Sequence, residues 1–354
     1  MAYAVTIGIP VYNVEKYIRL TLDSALAQTF QDIEFLVCDD CGADSSMDIV
    51  RDYQQNHPRG KDIRIVRQPK NMGLGNARNR IIDEAQGRYL YHLDADDAIA
   101  PNTIDLLYRA AVKYGAQLVY GSYERIDELC DEPKHTVFRY PDRQFLEEDE
   151  FAQWAYRKYD GIQAQTWNFL IDIDVYRSNH LRHQPVNFWE DFSLTIDLPT
   201  YVSRVVLLSD VTYYYYCRSG SLSHFQQRQH IAREEVERTA RAINQLKDKS
   251  DRIRSKSYFP KRMYKLMMTD FYMISTVLHH RDTITPPFTN RELRDIMRSP
   301  LLLSEIMHFK VWRKRNLVLY MLGTLPSAIS VALMKFISQH VNFIKKMCFD
   351  KPTY

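Results

Sequence analysis

Three carboxylates crowd into the four residues Asp94-Ala95-Asp96-Asp97. Like charges this close repel unless a cation or hydrogen-bond donors satisfy them. Alternate residues Asp94 and Asp96 can face one site, and their hard oxygens suit Mg²⁺ or Mn²⁺. Magnesium typically takes one or two protein carboxylates and completes its shell from substrate phosphates, which a short cluster allows. The competing reading is an acidic turn that caps the helix near Thr103. A second pair, Asp39-Asp40, poses the same electrostatic problem beside Asp44 and Ser45, which could cap a helix. A third, Glu190-Asp191, stands between Phe188-Trp189 and Phe192. Apolar surroundings raise a carboxylate's basicity, so this pair is a candidate general base. On residues alone, a helix start with an acidic first turn is the simpler reading.

The candidate cations are Arg78 and Arg218. Arg78 lies early in a helical pattern, where a guanidinium can pair with carboxylates or phosphates, or make a surface ion pair. Arg218 follows four tyrosines (Tyr213–Tyr216) and precedes Ser219-Gly220-Ser221-Leu222-Ser223-His224, a segment that could fold over phosphates or form a plain surface loop. Gly73-Leu74-Gly75 is not a dinucleotide fingerprint, because Arg78 stands where the third small residue belongs and the pair does not follow the first strand. Cys38 and Cys41 form a C-x-x-C, but Cys38 sits on an apolar strand and two aspartates separate the pair. That disfavours a thiolate, and no second pair completes a zinc site.

These residues stand where strands end. Val5–Ile9, Glu34–Cys38, Ile63–Arg67, Tyr89–Leu93 and Leu118–Tyr120 are short, apolar and followed by turn residues. Between them, Val14, Ile18, Leu22 and Leu26 recur at helical spacing, and residues 45–55, 76–85 and 103–114 read similarly. Alternation of this kind predicts a mostly parallel sheet with helices on its faces, and ligands beyond the carboxyl ends of its strands. From about His230 the pattern turns helical, with helices expected over 232–246 and 264–278.

The chain has 354 residues, 45% hydrophobic and 26% charged, with a net charge of +3. That is a globular composition, and it gives no reason to expect a general nucleic-acid binder. Five cysteines without regular spacing indicate no disulfide framework. No basic region followed by a long apolar run opens the sequence, so a cytoplasmic setting is the expectation. Between Glu305 and Tyr354, eight Lys/Arg face two acidic residues. Leu317–Met334 is largely apolar, with Lys310, Arg313, Lys314 and Arg315 before it and Lys335, Lys345 and Lys346 after. Eighteen residues interrupted by Pro326 barely suffice to span a bilayer. An interfacial helix drawn to anionic lipid is the expectation, against a buried core helix with a basic end.

Taken in order, Pro10-Val11-Tyr12-Asn13, Asp39-Asp40, Asn71-Met72-Gly73 with Ala77-Arg78-Asn79, Asp94-Ala95-Asp96-Asp97, Glu190-Asp191, and Tyr216-Cys217-Arg218 with Ser221-Leu222-Ser223 resemble glycosyltransferase family 2, from Val5 to about His224. The resemblance implies an α/β GT-A fold over residues 1–225, Rossmann-like, with a C-terminal helical region over 226–354 that could touch a membrane. It implies an inverting transferase for cell-surface polysaccharide, moving a hexosyl or N-acetylhexosaminyl group from a nucleotide sugar, with UDP the expected nucleotide, to a glycan or lipid-linked acceptor. Donor contacts would come from Pro10, Tyr12, Asn13, Asp40, Asn71, Arg78, Asp94 and Arg218, with Asp40 reading the base. Asp94 and Asp96 would hold Mg²⁺ or Mn²⁺, with His224 as a further ligand. Asp191 would be the base, with Trp189 and Glu190 at the acceptor. Two departures stand out. Cys41 occupies a position where the family commonly has glycine, and no lysine or arginine stands near Phe169 for an acceptor-side contact. A nucleotidyltransferase would need a glycine-rich basic loop after the first strand, which Val11-Tyr12-Asn13-Val14 is not. A non-catalytic sugar-nucleotide binder of the same fold would have lost the D-x-D or Asp191, and both are present.

Overall fold

The computed structural model describes residues 2–129, 132–158, 163–186, 190–218 and 231–340. The chain divides into two compact units: residues 1–151, 163–185 and 190–222, and residues 152–162, 186–189 and 223–354.

Ten strands build the first unit: β1 (Tyr3–Val11), β2 (Ile33–Asp39), β3 (Ile63–Arg67), β4 (Gly87–His92), β5 (Ala98–Ile99), β6 (Leu118–Asp127), β7 (Lys134–Phe138), β8 (Arg143–Phe145), β9 (Phe169–Asp172) and β10 (Val205–Cys217). They form one sheet in the order β3-β2-β1-β4-β9-β6-β10-β5, with β7 added to β6 and β8 to β10. β1 to β4 pair parallel, while β9 runs antiparallel to both its neighbours. Val5, Ile7, Ile9, Phe35 and Val37 are all sealed from water, as befits parallel strands covered on both faces. β1 runs two residues past its expected end at Ile9. Pairing with β4 stops at Gly8, so Pro10, which has no N–H, meets a strand only on the β2 side.

The helices of this part of the chain are α1 (Ile18–Leu26), α2 (Ser46–Asn56), α3 (Leu74–Glu84), α4 (Thr103–Tyr114), α5 (Glu150–Lys158), α6 (Ile173–Ser178) and α7 (Glu190–Thr195). The two glycines before and in α3 have separate jobs. Gly73 takes φ +84° at the turn into the helix, and a Cβ on Gly75 would sit 2.9 Å from the Gln184 carbonyl.

The second unit is helical: α8 (Arg233–Lys249), α9 (Phe259–His279), α10 (Asn290–Ile296), α11 (Leu303–His308), α12 (Arg313–Thr324) and α13 (Ser327–Gln339). α8 packs on α9, where Lys247 and Asp270 form a buried ion pair. The apolar run Leu317–Met334 is not one helix. It is split between α12 and α13 at Leu325-Pro326, since proline cannot continue the hydrogen-bond ladder and disfavours helix in the residue before it. Among the described residues no helix is long and apolar enough to cross a membrane.

Candidate active site

Two elements converge on Arg78 in α3. Its Nη2 donates to Asp94 Oδ1 at 2.6 Å, just past β4, and its Nη1 donates to Asp191 Oδ1 at the start of α7. Arg78 is fully buried. Burial opposes its charge, but Asp191 and Asp94 outweigh that and hold the guanidinium above its ordinary range. The cation expected at the donor phosphates is therefore turned inward onto two carboxylates, a pairing that joins residues 113 apart in sequence.

Asp191 Oδ1 also accepts from Thr166 Oγ1 at 2.8 Å, and the Thr166 backbone N–H bears on the same carboxylate. The side chain keeps 17% of its surface exposed. Burial raises the Asp191 pKa and Asp94 adds to that, with Arg78 and Thr166 pulling the other way. Beside it, burial and the Asp191 charge push Glu190 up to about 7. The pair forms the acidic first turn of a helix, and its Asp191 is the carboxylate that Arg78 and Thr166 hold. Thr166 gave no signal in the sequence, because nothing local marks a threonine whose partner lies 25 residues on.

The Asp94 cluster splits by role. Asp97 is buried and accepts from Tyr213 Oη at 2.7 Å and from the Tyr216 N–H at 2.8 Å, which pins the loop to β10. Asp96 is half-buried and forms no ion pair among the described residues. Burial and Asp94 push it up to about 6. Arg218 is stacked between the rings of Tyr17 and Tyr216, each 4.3 Å away. It donates to Glu128 Oε2 at 2.8 Å and to the Asp96 carbonyl. Asp94 and Asp96 fit a divalent cation completed by substrate oxygens, because Asp96 is a desolvated carboxylate beside a second one, with no ion pair of its own among the described residues. Among the described residues no cluster of three or more His, Cys, Asp or Glu could hold a metal by itself. His224 and Trp189 lie outside the described residues.

At the end of β2, Asp40 is buried, and its two oxygens accept the N–H groups of Met72 and Gly73 at 2.8 and 2.9 Å. It thus staples the loop before α3, and burial raises its pKa. Asn71 Oδ1 accepts from the same Gly73 N–H. Asn13, at φ +52°, accepts from the Ala43 N–H at 2.8 Å, while Pro10 is buried and Tyr12 is exposed. Cys41 adopts φ +60°, a conformation natural to glycine. Burial pushes the Cys38 thiol up to about 12, which disfavours a thiolate there. Phe169 is buried on β9.

Residues 6–180 match the family model of glycosyl transferase family 2. GlyA, a glycosyltransferase of Streptococcus pneumoniae serotype 4, is 29% identical over 228 residues, which is 62% of this chain and 31% of GlyA. S. aureus TarS 1–349 superposes with a TM-score of 0.66 at 14% identity, covering 96% of this chain and 91% of that one. Its complex with UDP-GlcNAc gives 0.63 at 16%. The mannosyltransferase PcManGT of Pyrobaculum calidifontis, in complex with GDP-Man and Mn²⁺, gives 0.51 at 14%, covering 95% and 88%. Residues 6–180 belong to glycosyltransferase family 2, and the chain has the GT-A fold. The part matched in GlyA is under a third of that protein's length.

Proposed function

We propose that this protein is an inverting glycosyltransferase that moves a sugar from a UDP-sugar to a hydroxyl of a glycan or lipid-linked acceptor in cell-surface polysaccharide synthesis. The observation that carries the reading is the clamp on Asp191: its Oδ1 is held by Arg78, which also holds Asp94, and by Thr166. In the reaction the acceptor O–H gives its proton to the Asp191 carboxylate. The oxygen attacks the anomeric carbon as the bond to the diphosphate oxygen breaks on the opposite face, and the diphosphate leaves with the electron pair. Configuration inverts, so an α-linked donor gives a β-glycoside. Mg²⁺ or Mn²⁺ held by Asp94 and Asp96 would neutralise the departing diphosphate. Arg218, pre-stacked beside Asp96, is the cation for the phosphates. Arg78 keeps Asp191 oriented. The site is cytoplasmic in this reading, with the C-terminal helices resting on the inner face of the membrane. TarS and PcManGT, whose complexes hold UDP-GlcNAc, or GDP-Man with Mn²⁺, support a nucleotide-sugar donor and a divalent metal.

The test is to incubate the purified protein with a panel of UDP-, GDP- and CDP-sugars and Mn²⁺, and to measure free nucleotide. Release from a UDP-hexose or UDP-N-acetylhexosamine, abolished by excess EDTA, is expected. No release from any donor, or full activity in EDTA, would sink the proposal.

A further inference from the structure

Among the described residues, six buried polar atoms beside the Arg78 clamp make no regular hydrogen bond to protein: Arg78 Nε, both ring nitrogens of His92, both of His183, and Tyr176 Oη. None of the four side chains is more than 2% exposed. Unpartnered polar atoms in a protein interior cost stability, and an apolar side chain of similar shape would avoid that cost. A cluster of six at one place is therefore explained better by use than by packing.

His183 stands where the three charged elements meet. Its backbone is locked to Asn79, the residue after Arg78: Asn79 Nδ2 donates to the His183 carbonyl at 2.9 Å, and the His183 N–H donates to Asn79 Oδ1 at 2.8 Å. Gly75 lets the chain at 183–184 approach α3 this closely. The His183 ring sits edge-on to His92, at 6.1 Å between centroids and 87° between planes. His92 ends β4, two residues before Asp94. The imidazole also feels the backbone of Glu190, next to Asp191. Burial, then Arg78, keeps this imidazole neutral, so it offers one donor and one acceptor nitrogen.

We propose that His183 is a positioning residue for the transfer reaction: with His92 and Tyr176 Oη it encloses water that accepts the Arg78 Nε–H and fixes the guanidinium, and through it the Asp191 carboxylate. Buried polar groups that lack protein partners are the places where enclosed water is found. The inference rests on the reading of Asp191 as the base.

The experiment compares His183→Phe, His183→Gln and Tyr176→Phe with the wild type and with Asp191→Asn, using donor turnover, KM, melting temperature and the pH profile of kcat. His183→Phe should melt no lower than the wild type, because two unpartnered nitrogens are gone. Its kcat should still fall on the order of 10-fold through misplacement of the base, with donor KM within about twofold, and the acid limb of its pH profile should move. His183→Gln should recover most of the loss, since the amide again offers a donor and an acceptor. Tyr176→Phe, which removes only the hydroxyl, should lower kcat in the same sense and serves if His183→Phe misfolds. Wild-type kcat in both His183→Phe and Tyr176→Phe, or equal losses in His183→Phe and His183→Gln that follow melting temperature, overturns the inference. If those two variants are normal while Asp191→Asn is dead, only the role of His183 falls. If Asp191→Asn keeps turnover, the base reading falls and the inference with it.

Discussion

What holds the Asp191 carboxylate decides what the residue can do. Oδ1 takes the Arg78 guanidinium and the Thr166 hydroxyl. A fully paired carboxylate would be too weak a base, whereas an unpaired one in a buried site would be protonated and poorly aimed. Here burial raises the pKa while Arg78 and Thr166 restrain it. Asp191→Asn keeps the shape and removes the basicity, so kcat should fall about 10²–10⁴-fold with donor affinity nearly unchanged. The sign of the pH dependence follows from the direction of the shift. As pH falls through the raised pKa, Asp191 is protonated, so kcat in the wild type should decline on the acid side, beginning above the ordinary aspartate value of 3.8. A steady-state pH series of both proteins checks this. If Asp191→Asn is as fast as the wild type and Glu190→Gln is dead, the roles are exchanged.

At the scale of elements, the loop from Asn71 to Gly73 is fixed to the end of β2 by one side chain. Asp40 uses both oxygens on the Met72 and Gly73 N–H groups, yet each oxygen retains a second lone pair. The expected contact with the N3–H of uracil is therefore an addition to a structural duty. Asp40→Asn should weaken UDP binding and erase any preference for UDP over CDP, because cytosine offers no N3–H and the variant loses both the charge and one backbone acceptor. Calorimetric titration of both nucleotides into both proteins reads this directly. Equal affinity of the wild type for UDP and CDP would remove Asp40 from base recognition and leave it the loop staple alone.

For the molecule as a whole, charge and exposed apolar surface are distributed unevenly. The chain carries +3 overall, and its basic excess lies after Glu305. In that region α12 exposes Lys314, Val318 and Met321 along one stripe, and α13 exposes Ile329, Leu333 and Phe336 along another. Lys310, Arg313 and Lys335 are exposed as well. Each helix turns its other stripe inward, through Leu319 and Leu322 in α12 and Val331 and Met334 in α13. Apolar side chains interleaved with cations suit an anionic lipid surface. The protein should float with phosphatidylglycerol vesicles at low salt and not with phosphatidylcholine vesicles. Charge reversal at Lys310, Arg313, Lys314 and Lys335 should abolish flotation. Binding that ignores both salt and charge reversal would defeat the idea.

Local pattern determined the strands, the helices that alternate with them, and the acidic residues at strand ends, because side-chain periodicity and turn chemistry act over a few residues. The order of the motifs pointed to family 2 for the same reason: each is a short segment whose residues sit together. The partners of those residues were decided only by the tertiary structure. Arg78 could have met phosphate or carboxylate, and only the packing of α3 against β1, β2 and α6 buried it between Asp94 and Asp191. Thr166 and His183 carry no local mark at all. They matter because β9, antiparallel between β4 and β6, and the chain that follows it return the 163–185 segment to α3. Asp40 was legible as a strand-end carboxylate, but its capture by the 72–73 backbone was not. A sequence records which groups are available; the energy of a buried charge depends on what surrounds it, and folding supplies those surroundings from residues tens of positions away.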